Sequence, residues 1–267
     1  MLVIAIISVF PILWMSFGSF RPHAELFQYS SSLNWHLLIP LEWTLDNYRQ
    51  IFLESAISFG RYMVNTLLVG IIVTAFSLAV NSMAAFSFAK LSLPYRGVIL
   101  TIFLSALIIP PEVTLVPLYL LIRDLGLVDS YQALILPSIV SVFSIFLLIQ
   151  FFADIPRELL EAARIDGASW ARVYATIMLP GAASAMVTLG LITFLGQWDA
   201  YLWPLVVIND EARQMIQVAV AGFSNLQGTQ WGRILAADTI SSVPILILFL
   251  FLQRYYVQSI TLTGVKA

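Results

Sequence analysis

Seven charged side chains lie within the segment 154–180, which reads DIPRELLEAARIDGASWARVYATIMLP. At helical spacing the segment predicts an apolar stripe formed by Leu159, Leu160 and Ala163. The opposite face is charged and is formed by Arg157, Glu161 and Arg164. Acids and bases three or four residues apart can form ion pairs along such a face. An apolar stripe of this kind can enter a groove on another protein. The function that these residue types allow is therefore docking onto another surface.

The ends of this helix can also be read from residue types. Asp154 is a predicted N-cap with Pro156 in the first turn, and Gly167 suits the left-handed position after the last turn. Ser169 then caps a second short helix, whose predicted face is Trp170, Val173, Tyr174 and Ile177. Neither helix is long enough to cross a membrane. Two interpretations stay open: a helix pair lying on lipid headgroups, or a docking element for a soluble partner.

A second polar cluster, Trp198, Asp199, Tyr201 and Trp203, is suited to a sugar. Aromatic rings can stack on the C–H faces of a sugar, and a carboxylate in a membrane protein usually faces a cavity or a partner. The alternative is an aromatic belt that anchors a helix at the membrane surface. Asn65 is a further candidate to contact such a solute, if the chain forms a pathway for one. The usual role of an Asn within a membrane is hydrogen bonding between helices.

Motifs for catalysis are missing from the sequence. It contains no G-x4-G-K-[ST] loop for ATP phosphates, no HExxH and no GxSxG. It also contains no cysteine, and its two histidines, His23 and His36, lie thirteen residues apart in a polar stretch. We expect no catalytic residue, no metal site and no cofactor bound by this chain.

The composition determines the class of protein. The chain has 267 residues, of which 60% are hydrophobic and 10% charged, and its mean hydropathy is +0.91. Soluble domains are about 45–50% apolar and about 25% charged, so a soluble enzyme and a disordered chain are both excluded. A net charge of −2 lacks the basic footprint of a nucleic-acid-binding protein. An integral membrane protein remains.

The apolar stretches predict an all-α integral membrane protein with six transmembrane helices in a single domain, 1–267. A span needs roughly 20 mostly apolar residues, and the predicted spans are 1–20, 62–89, 97–122, 130–153, 181–208 and 234–253. Glu112 and Asp238 fall within spans. Pro110 and Pro111 interrupt the third span, where we expect a kink.

The first span could instead be a signal peptide. It has neither a basic leader nor a small-residue cleavage site before Arg21, which favours a retained span. Its abrupt start leads us to expect that the protein begins further upstream. An even number of spans puts both termini on one side, and cytoplasmic termini place seven of the thirteen Lys and Arg residues inside, a narrow majority.

One stretch of the charged segment matches a known pattern at every fixed position. Glu161-Ala162-Ala163, Gly167, Ile177 and Leu179-Pro180 fit EAA-x3-G-x9-I-x-LP. The segment resembles the EAA loop of bacterial ABC importer permeases.

That resemblance implies a cytoplasmic coupling loop, 154–180, between spans four and five. In the family this loop holds a coupling helix that sits in a cleft of an ATPase subunit and transmits its closure. The residues of this sequence that would make the contact are Glu161, Ala162, Ala163, Asp166 and Gly167.

Other stretches resemble the carbohydrate permeases of the maltose-transporter class. They are residues 11–14, 253–258, 264–266 and the W-x2-(F/Y)-L-W-P match at 198–204. By the same resemblance, the outer loop 209–233 would reach the binding protein through Asn225, Gln227, Gly228 and Gln230.

The resemblance implies a permease subunit rather than an enzyme, located in the bacterial cytoplasmic (inner) membrane. The implied solute is an oligosaccharide, a polyol or a glycerol-phosphate derivative. The implied partners are a second permease subunit in a heterodimer, two cytoplasmic ATPase subunits that carry ATP and Mg, an extracytoplasmic solute-binding protein and membrane lipid, with no nucleic acid.

Two other functions are weighed against this one. A secondary transporter driven by an ion gradient would use Asp199, Asp238 and Glu112 as ion sites, but it predicts internal repeat symmetry, which the two halves do not show. A membrane scaffold would use 154–180 only to recruit a cytoplasmic protein. ATP dependence of uptake separates the first of these from an ABC importer.

Overall fold

The computed structural model describes residues 2–22, 25–28, 36, 39–55, 57–225 and 228–263. The first part of the chain holds a helix at the start, short helical turns, and one long helix. They are α1 (Leu2–Gly18), α2 (Glu25–Gln28), α3 (Asp46–Arg49), which continues as a π turn (Gln50–Glu54), and α4 (Phe59–Lys90).

The middle of the chain contains two helix pairs. The first is α5 (Arg96–Ser105), extended by a 3-10 turn (Ala106–Ile108), and α6 (Pro111–Asp124). The second is α7 (Tyr131–Ser138) and α8 (Val142–Asp154). Ser130 and Ser141 cap α7 and α8 by accepting hydrogen bonds from the backbone N–H groups of Ala133 and Ser144.

The charged segment and the stretch after it form a run of short helices before a longer one. They are α9 (Arg157–Ile165), α10 (Trp170–Val173), a π turn (Tyr174–Met178), α11 (Leu179–Gly181) and α12 (Ala183–Trp198).

The last part contains α13 (Leu202–Val207), a 3-10 turn (Glu211–Arg213), α14 (Ile216–Gly222), β1 (Ser224–Asn225), β2 (Gly228–Thr229) and α15 (Trp231–Thr263). The two short strands pair antiparallel, with Ser224 opposite Thr229 and Asn225 opposite Gly228.

Two helices are long and apolar enough to cross a membrane, Phe59–Lys90 and Trp231–Phe251. Among the described residues the number rises to five if each of three bent helix pairs is one span. The fold is that of a helical membrane protein, and the count of six spans stays a prediction.

The predicted kink at Pro110 and Pro111 is a much sharper break. The helices on either side of it are bent by 103° relative to each other. Neither proline has an N–H group, so the carbonyls one turn earlier lose their helical donors. The chain therefore ends one helix in a 3-10 turn and starts another with Pro111 in its first turn. A single continuous helix over 97–122 is corrected to two helices.

The stretch 181–208, predicted as one span, is also divided. It contains α12, which ends at Trp198, and α13, which begins at Leu202. Pro204 has no N–H to offer to the carbonyl of Ala200, so one helical hydrogen bond is lost at this break. A further bend of 79° separates Trp170–Gly181 from α12.

The chain divides into two compact units, one formed by Met1–Leu67 with Trp198–Leu250 and the other by Leu68–Gln197 with Phe251–Ala267. The second unit has an apolar core between α4, α8 and the helices that follow α8, with Phe152, Leu148, Met178 and Leu189 fully buried. A Cβ added at Gly190 would lie 3.2 Å from the Leu78 side chain, so this glycine lets α12 approach α4 closely.

The first unit is held by buried polar contacts near the end of α1. The Asn47 side-chain amide donates to the carbonyls of Ser19 and Arg21, at 2.9 Å each. Glu25 accepts from the backbone N–H groups of Leu41 and Glu42. These bonds satisfy groups that would otherwise be buried without partners.

Candidate functional site

The first helix of the charged segment, α9, begins at Arg157 with Pro156 as its N-cap. The prediction that Asp154 caps this helix is wrong, because Asp154 is the last residue of α8. Pro156 has an extended backbone, and its missing N–H leaves the last turn of α8 without continuation. Glu158 in the first turn and Arg164 in the last complement the dipole of α9.

One face of α9 packs into the core of the second unit. Leu160 is buried against that core and Ala163 is partly buried. Leu159, predicted for the same stripe, is 53% exposed because it lies at the edge of the buried face, and Ile165 is 86% exposed. Burying a leucine side chain contributes about 1.5–3 kcal/mol, so Leu160 anchors the helix while an apolar and charged face stays open.

The turn after α9 has the conformation that the sequence predicts. Gly167 lies in the left-handed region, with φ of +85°. Its N–H donates to the carbonyl of Arg164 at 3.1 Å, and the N–H of Ala168 donates to the carbonyl of Ala163 at 2.9 Å. This pair of bonds is the Schellman motif, which satisfies two carbonyls at the helix end.

The predicted second helix is also present, and Ser169 caps it by accepting a hydrogen bond from the N–H of Arg172 at 3.3 Å. The Arg164 guanidinium lies 4.9 Å from the centre of the Trp170 ring and donates to the carbonyl of Ala168 at 2.6 Å. Arg164 therefore braces the turn, whereas the sequence suggested an ion pair between Glu161 and Arg157 or Arg164. In the described segment 154–180, the Glu161 carboxylate is exposed and forms no such pair.

An open groove of about 520 Å³ lies beside α9. Its lining includes Lys90, Arg157, Leu160, Glu161, Arg164 and Trp170. The ammonium group of Lys90 donates to the carbonyls of Ala153 and Ile155, at 3.2 and 2.6 Å, which fastens the end of α4 to the end of α8. Sequence reasoning did not identify Lys90, because its two partners are more than sixty residues away.

The EAA segment thus gathers the candidate coupling residues on a single exposed element. Glu161, Ala162, Asp166 and Gly167 are exposed and Ala163 is half-buried. The element is fastened at both ends, by Leu160 before the turn and by Val173 and Met178 after it. Such an arrangement can transmit a push from a docked partner into the helices that follow.

The candidate solute residues lie in the first unit, around the break between α12 and α13. Trp198 is 1% exposed, whereas Asp199 and Tyr201 are exposed and Trp203 is half-buried. The Asp199 carboxylate accepts a hydrogen bond from the Gln217 side-chain amide at 3.5 Å. The carboxylate of Asp199 and the ring of Tyr201 are therefore accessible to a solute, whereas the Trp198 indole is not.

Asn65 is buried, and its side-chain amide donates to the carbonyls of Ala212 and Gln214 at 2.9 and 3.0 Å. The neighbouring Thr66 hydroxyl accepts from the N–H of Ile216 at 2.9 Å. These bonds tie the start of α4 to the segment that leads to Gln217 and so to Asp199. A direct role of Asn65 in the solute pathway stays a prediction.

The predicted contact loop contains the two-stranded ladder of β1 and β2. Asn225 and Gly228 pair with each other in this ladder. Gln230 is half-buried, and its N–H donates to the carbonyl of Phe223 at 3.0 Å. Gln227 lies outside the described residues, as does His23. Within the described residues, no group of three or more metal-ligating side chains of His, Cys, Asp or Glu comes together.

Comparison with known proteins identifies relatives over nearly the whole chain. The family described as "Binding-protein-dependent transport system inner membrane component" matches residues 1–262.

Three curated relatives are similar along almost their entire length. The arabinooligosaccharides transport system permease protein AraQ of Halalkalibacterium halodurans is 34% identical over 98% of this chain and 93% of its own. The trehalose/maltose transport system permease protein MalG of Thermococcus litoralis is 31% identical over 99% and 94%. The sn-glycerol-3-phosphate transport system permease protein UgpE of Pectobacterium atrosepticum is 32% identical over 97% and 93%.

A solved structure shares the fold. It is a chain from the crystal structure of a bacterial ABC transporter involved in the import of the acidic polysaccharide alginate. The TM-score is 0.83 at 22% sequence identity, over 95% of this chain and 92% of that one.

Proposed function

Because this chain belongs to the family of binding-protein-dependent transport system inner membrane components, we propose that it forms half of the translocation pathway of an ABC importer for a sugar or sugar-like solute. It is a permease subunit and not an enzyme. The observation that carries the proposal is the EAA element, which is exposed and is packed against the core at both of its ends. It occurs in a chain whose relatives are transport permeases.

The solute class rests on the relatives and on one cluster of side chains. The named relatives act on arabinooligosaccharides, on trehalose and maltose, and on sn-glycerol-3-phosphate. These solutes all carry hydroxyl groups that can form hydrogen bonds. In this chain, Asp199 and Tyr201 lie two residues apart in the sequence and are both exposed, so they offer a hydrogen-bond acceptor and an aromatic surface. We therefore propose an oligosaccharide, a polyol or a glycerol-phosphate derivative as the solute.

The coupling residues in this proposal are Glu161, Ala162, Ala163, Asp166 and Gly167. Their exposure on α9 and its turn is compatible with docking onto a cytoplasmic ATPase subunit. The short side chains of the two alanines leave room for close approach of a partner backbone. In the proposed cycle, closure of two ATPase subunits displaces α9, and the buried Leu160 passes that displacement to the core of the second unit.

The complete transporter in this proposal has four further components: a second permease subunit, two ATPase subunits and an extracytoplasmic solute-binding protein. ATP and Mg bind to the ATPase subunits, and this chain binds no cofactor. Both termini are cytoplasmic in this arrangement, in a bacterial inner membrane. The residues proposed to contact the binding protein are then Asn225, Gln227, Gly228 and Gln230.

The first test is co-purification from the native membrane in a mild detergent, followed by mass spectrometry. We expect a Walker-motif ATPase, a second permease and a binding protein to accompany this chain. Recovery of the chain alone, as a monomer or homodimer, would contradict the proposal.

Uptake by membrane vesicles tests the energy source. Vesicles loaded with ATP receive the recovered binding protein and a radiolabelled probe, namely an arabinooligosaccharide, maltose or sn-glycerol 3-phosphate. We expect uptake of at least one probe that requires hydrolysable ATP and survives an uncoupler. Uptake that ignores ATP and collapses with the uncoupler would instead support the secondary transporter, with Asp199, Asp238 and Glu112 as the next residues to examine.

A further inference from the structure

Two neighbouring polar residues in the second half of α4, Asn81 and Ser82, are both fully buried, each 0% exposed. Neither belongs to the coupling residues or to the solute pathway described above. Consecutive residues on a helix point about 100° apart, so the two side chains reach different neighbours.

Asn81 holds the break between α7 and α8, whose axes are bent by 40°. Its side-chain amide donates to the carbonyl of Ile139, and its side-chain oxygen accepts from the N–H of Ser141, at 3.1 Å each. The same amide donates to the Ser77 hydroxyl at 2.7 Å. One side chain thus satisfies backbone groups on both sides of Val140 that no helix satisfies.

Ser82 reaches the segment that follows the coupling helix. Its hydroxyl lies 2.7 Å from the hydroxyl of Tyr174, the first residue of the π turn after α10. The Tyr174 ring packs on Phe86 with ring centres 5.6 Å apart, and Phe86 also contacts Trp170 at 6.2 Å. Trp170 in turn lies beneath Arg164 of α9.

We propose that the Ser82–Tyr174 hydroxyl pair, together with the adjacent Asn81 clamp, is a positioning relay that passes movement of the coupling segment to the α7–α8 break. The inference rests on the proposed function, which supplies the movement of α9. The relay is continuous within the second unit, from Arg164 through Trp170 and Tyr174 to α4 and then to 139–141.

The physical reason lies in the stiffness of each step. Apolar contacts such as those around Leu160 carry a displacement without a preferred direction, whereas the hydrogen bond between the Ser82 and Tyr174 hydroxyl groups has a preferred distance and direction. Asn81 and Ser82 share a helix backbone, so displacement of one moves the other. The α7–α8 break can change its angle when α4 moves, because residues 139–141 lie outside the helices. Asn81 bonds to the backbone of these residues, so their geometry follows the position of Asn81.

The test uses the full transporter reconstituted in proteoliposomes, with ATP hydrolysis and solute uptake measured in the same sample. The variants are Ser82→Ala, Tyr174→Phe and the double variant. Tyr174→Phe keeps the ring that packs on Phe86 and removes only the hydroxyl. The matched control is Ser87→Ala on the same helix, because the Ser87 hydroxyl bonds only to the carbonyl of Met83, one turn earlier.

We expect each single variant to lower the solute transported per ATP about threefold, as a hydrogen bond between membrane helices averages about 0.6 kcal/mol. Both single variants remove the Ser82–Tyr174 bond, and Ser82→Ala also removes the bond from Ser82 to the carbonyl of Leu78 in its own helix. The double variant should therefore lose no more than Ser82→Ala alone. ATP hydrolysis and the amount of assembled complex should stay near those of the unmodified protein, and the control should match it throughout.

Three results would overturn the relay. These are an unchanged transport ratio in both single variants, losses that add in the double variant, and an equal loss in Ser87→Ala. If the unmodified protein itself shows no ATP-driven uptake, the proposed function fails as well, so the two failures are distinguishable.

Discussion

Gly167 offers a sharp test of the coupling segment, because its substitution perturbs only the backbone. Its φ of +85° lies in the left-handed region, and no heavy atom lies within 4 Å of an added Cβ. A methyl group there meets nothing in this chain. Gly167→Ala therefore isolates the cost of holding an L-residue in the left-handed conformation.

The expected cost is about 1–2 kcal/mol for a residue with a Cβ, which shifts the equilibrium toward a frayed turn by about 5- to 30-fold. Asparagine tolerates this region better than alanine, so Gly167→Asn should lose less. Gly97→Ala is the matched control. It also meets no atom within 4 Å, but it lies in helix α5 without a positive φ, where alanine is favoured over glycine by about 0.5–1 kcal/mol.

The assay titrates the ATPase subunit against the reconstituted permease and measures the concentration that gives half-maximal uptake. We expect this concentration to rise by up to 5- to 30-fold in Gly167→Ala, by less in Gly167→Asn, and not at all in Gly97→Ala. Gly167→Trp should abolish uptake. The part of this loss of uptake that exceeds the loss in Gly167→Ala reports contact between the indole and the partner.

The reasoning is refuted if Gly167→Ala behaves like the unmodified protein, or if asparagine is as harmful as alanine. In either case the left-handed turn would not be what docking requires.

Three further predictions concern other parts of the molecule. Glu161→Lys should abolish uptake, and normal uptake would contradict the coupling role. The variant should stay in the membrane, because substitution of an exposed side chain changes the free energy of unfolding by only about 0.5 kcal/mol. Asp199→Ala should change the KM for the solute while ATPase binding stays the same, and unaltered uptake kinetics would argue against the solute pathway. Gly232→Ala should lower the Tm in detergent, because its Cβ would strike the Asn47 side chain and overpacking costs about 1–3 kcal/mol. Gly222→Ala, with no atom within 4 Å of the added Cβ, should not lower the Tm.

The turn of the EAA segment was predictable because its rules are local. Gly167 supplies the left-handed residue of the Schellman motif. Ser169 caps the next helix by accepting from the N–H of Arg172, three residues later. Both depend on contacts within five residues. The apolar composition was equally informative, because it excludes soluble classes whatever the fold.

The course of the helices was predictable only in part. Composition located the long apolar helix α4 to within three residues of its start and one of its end, since 62–89 was predicted and Phe59–Lys90 is found. It could not reveal the bend angles at Pro110 and Pro111 or between α11 and α12. A proline predicts loss of a hydrogen bond, whereas the angle that follows depends on what packs against both sides.

The sequence by itself determined that this is a helical membrane protein, and that short helices lie on both sides of Gly167. Only the tertiary structure decided that Leu160 is buried while Leu159 is not, and which carbonyls Lys90 and Asn65 cap. The partners of Asn65 lie 147 and 149 residues away along the chain. Helix ends and turns follow from neighbours in sequence, but a side-chain amide or ammonium group bonds whatever backbone the fold brings within about 3 Å.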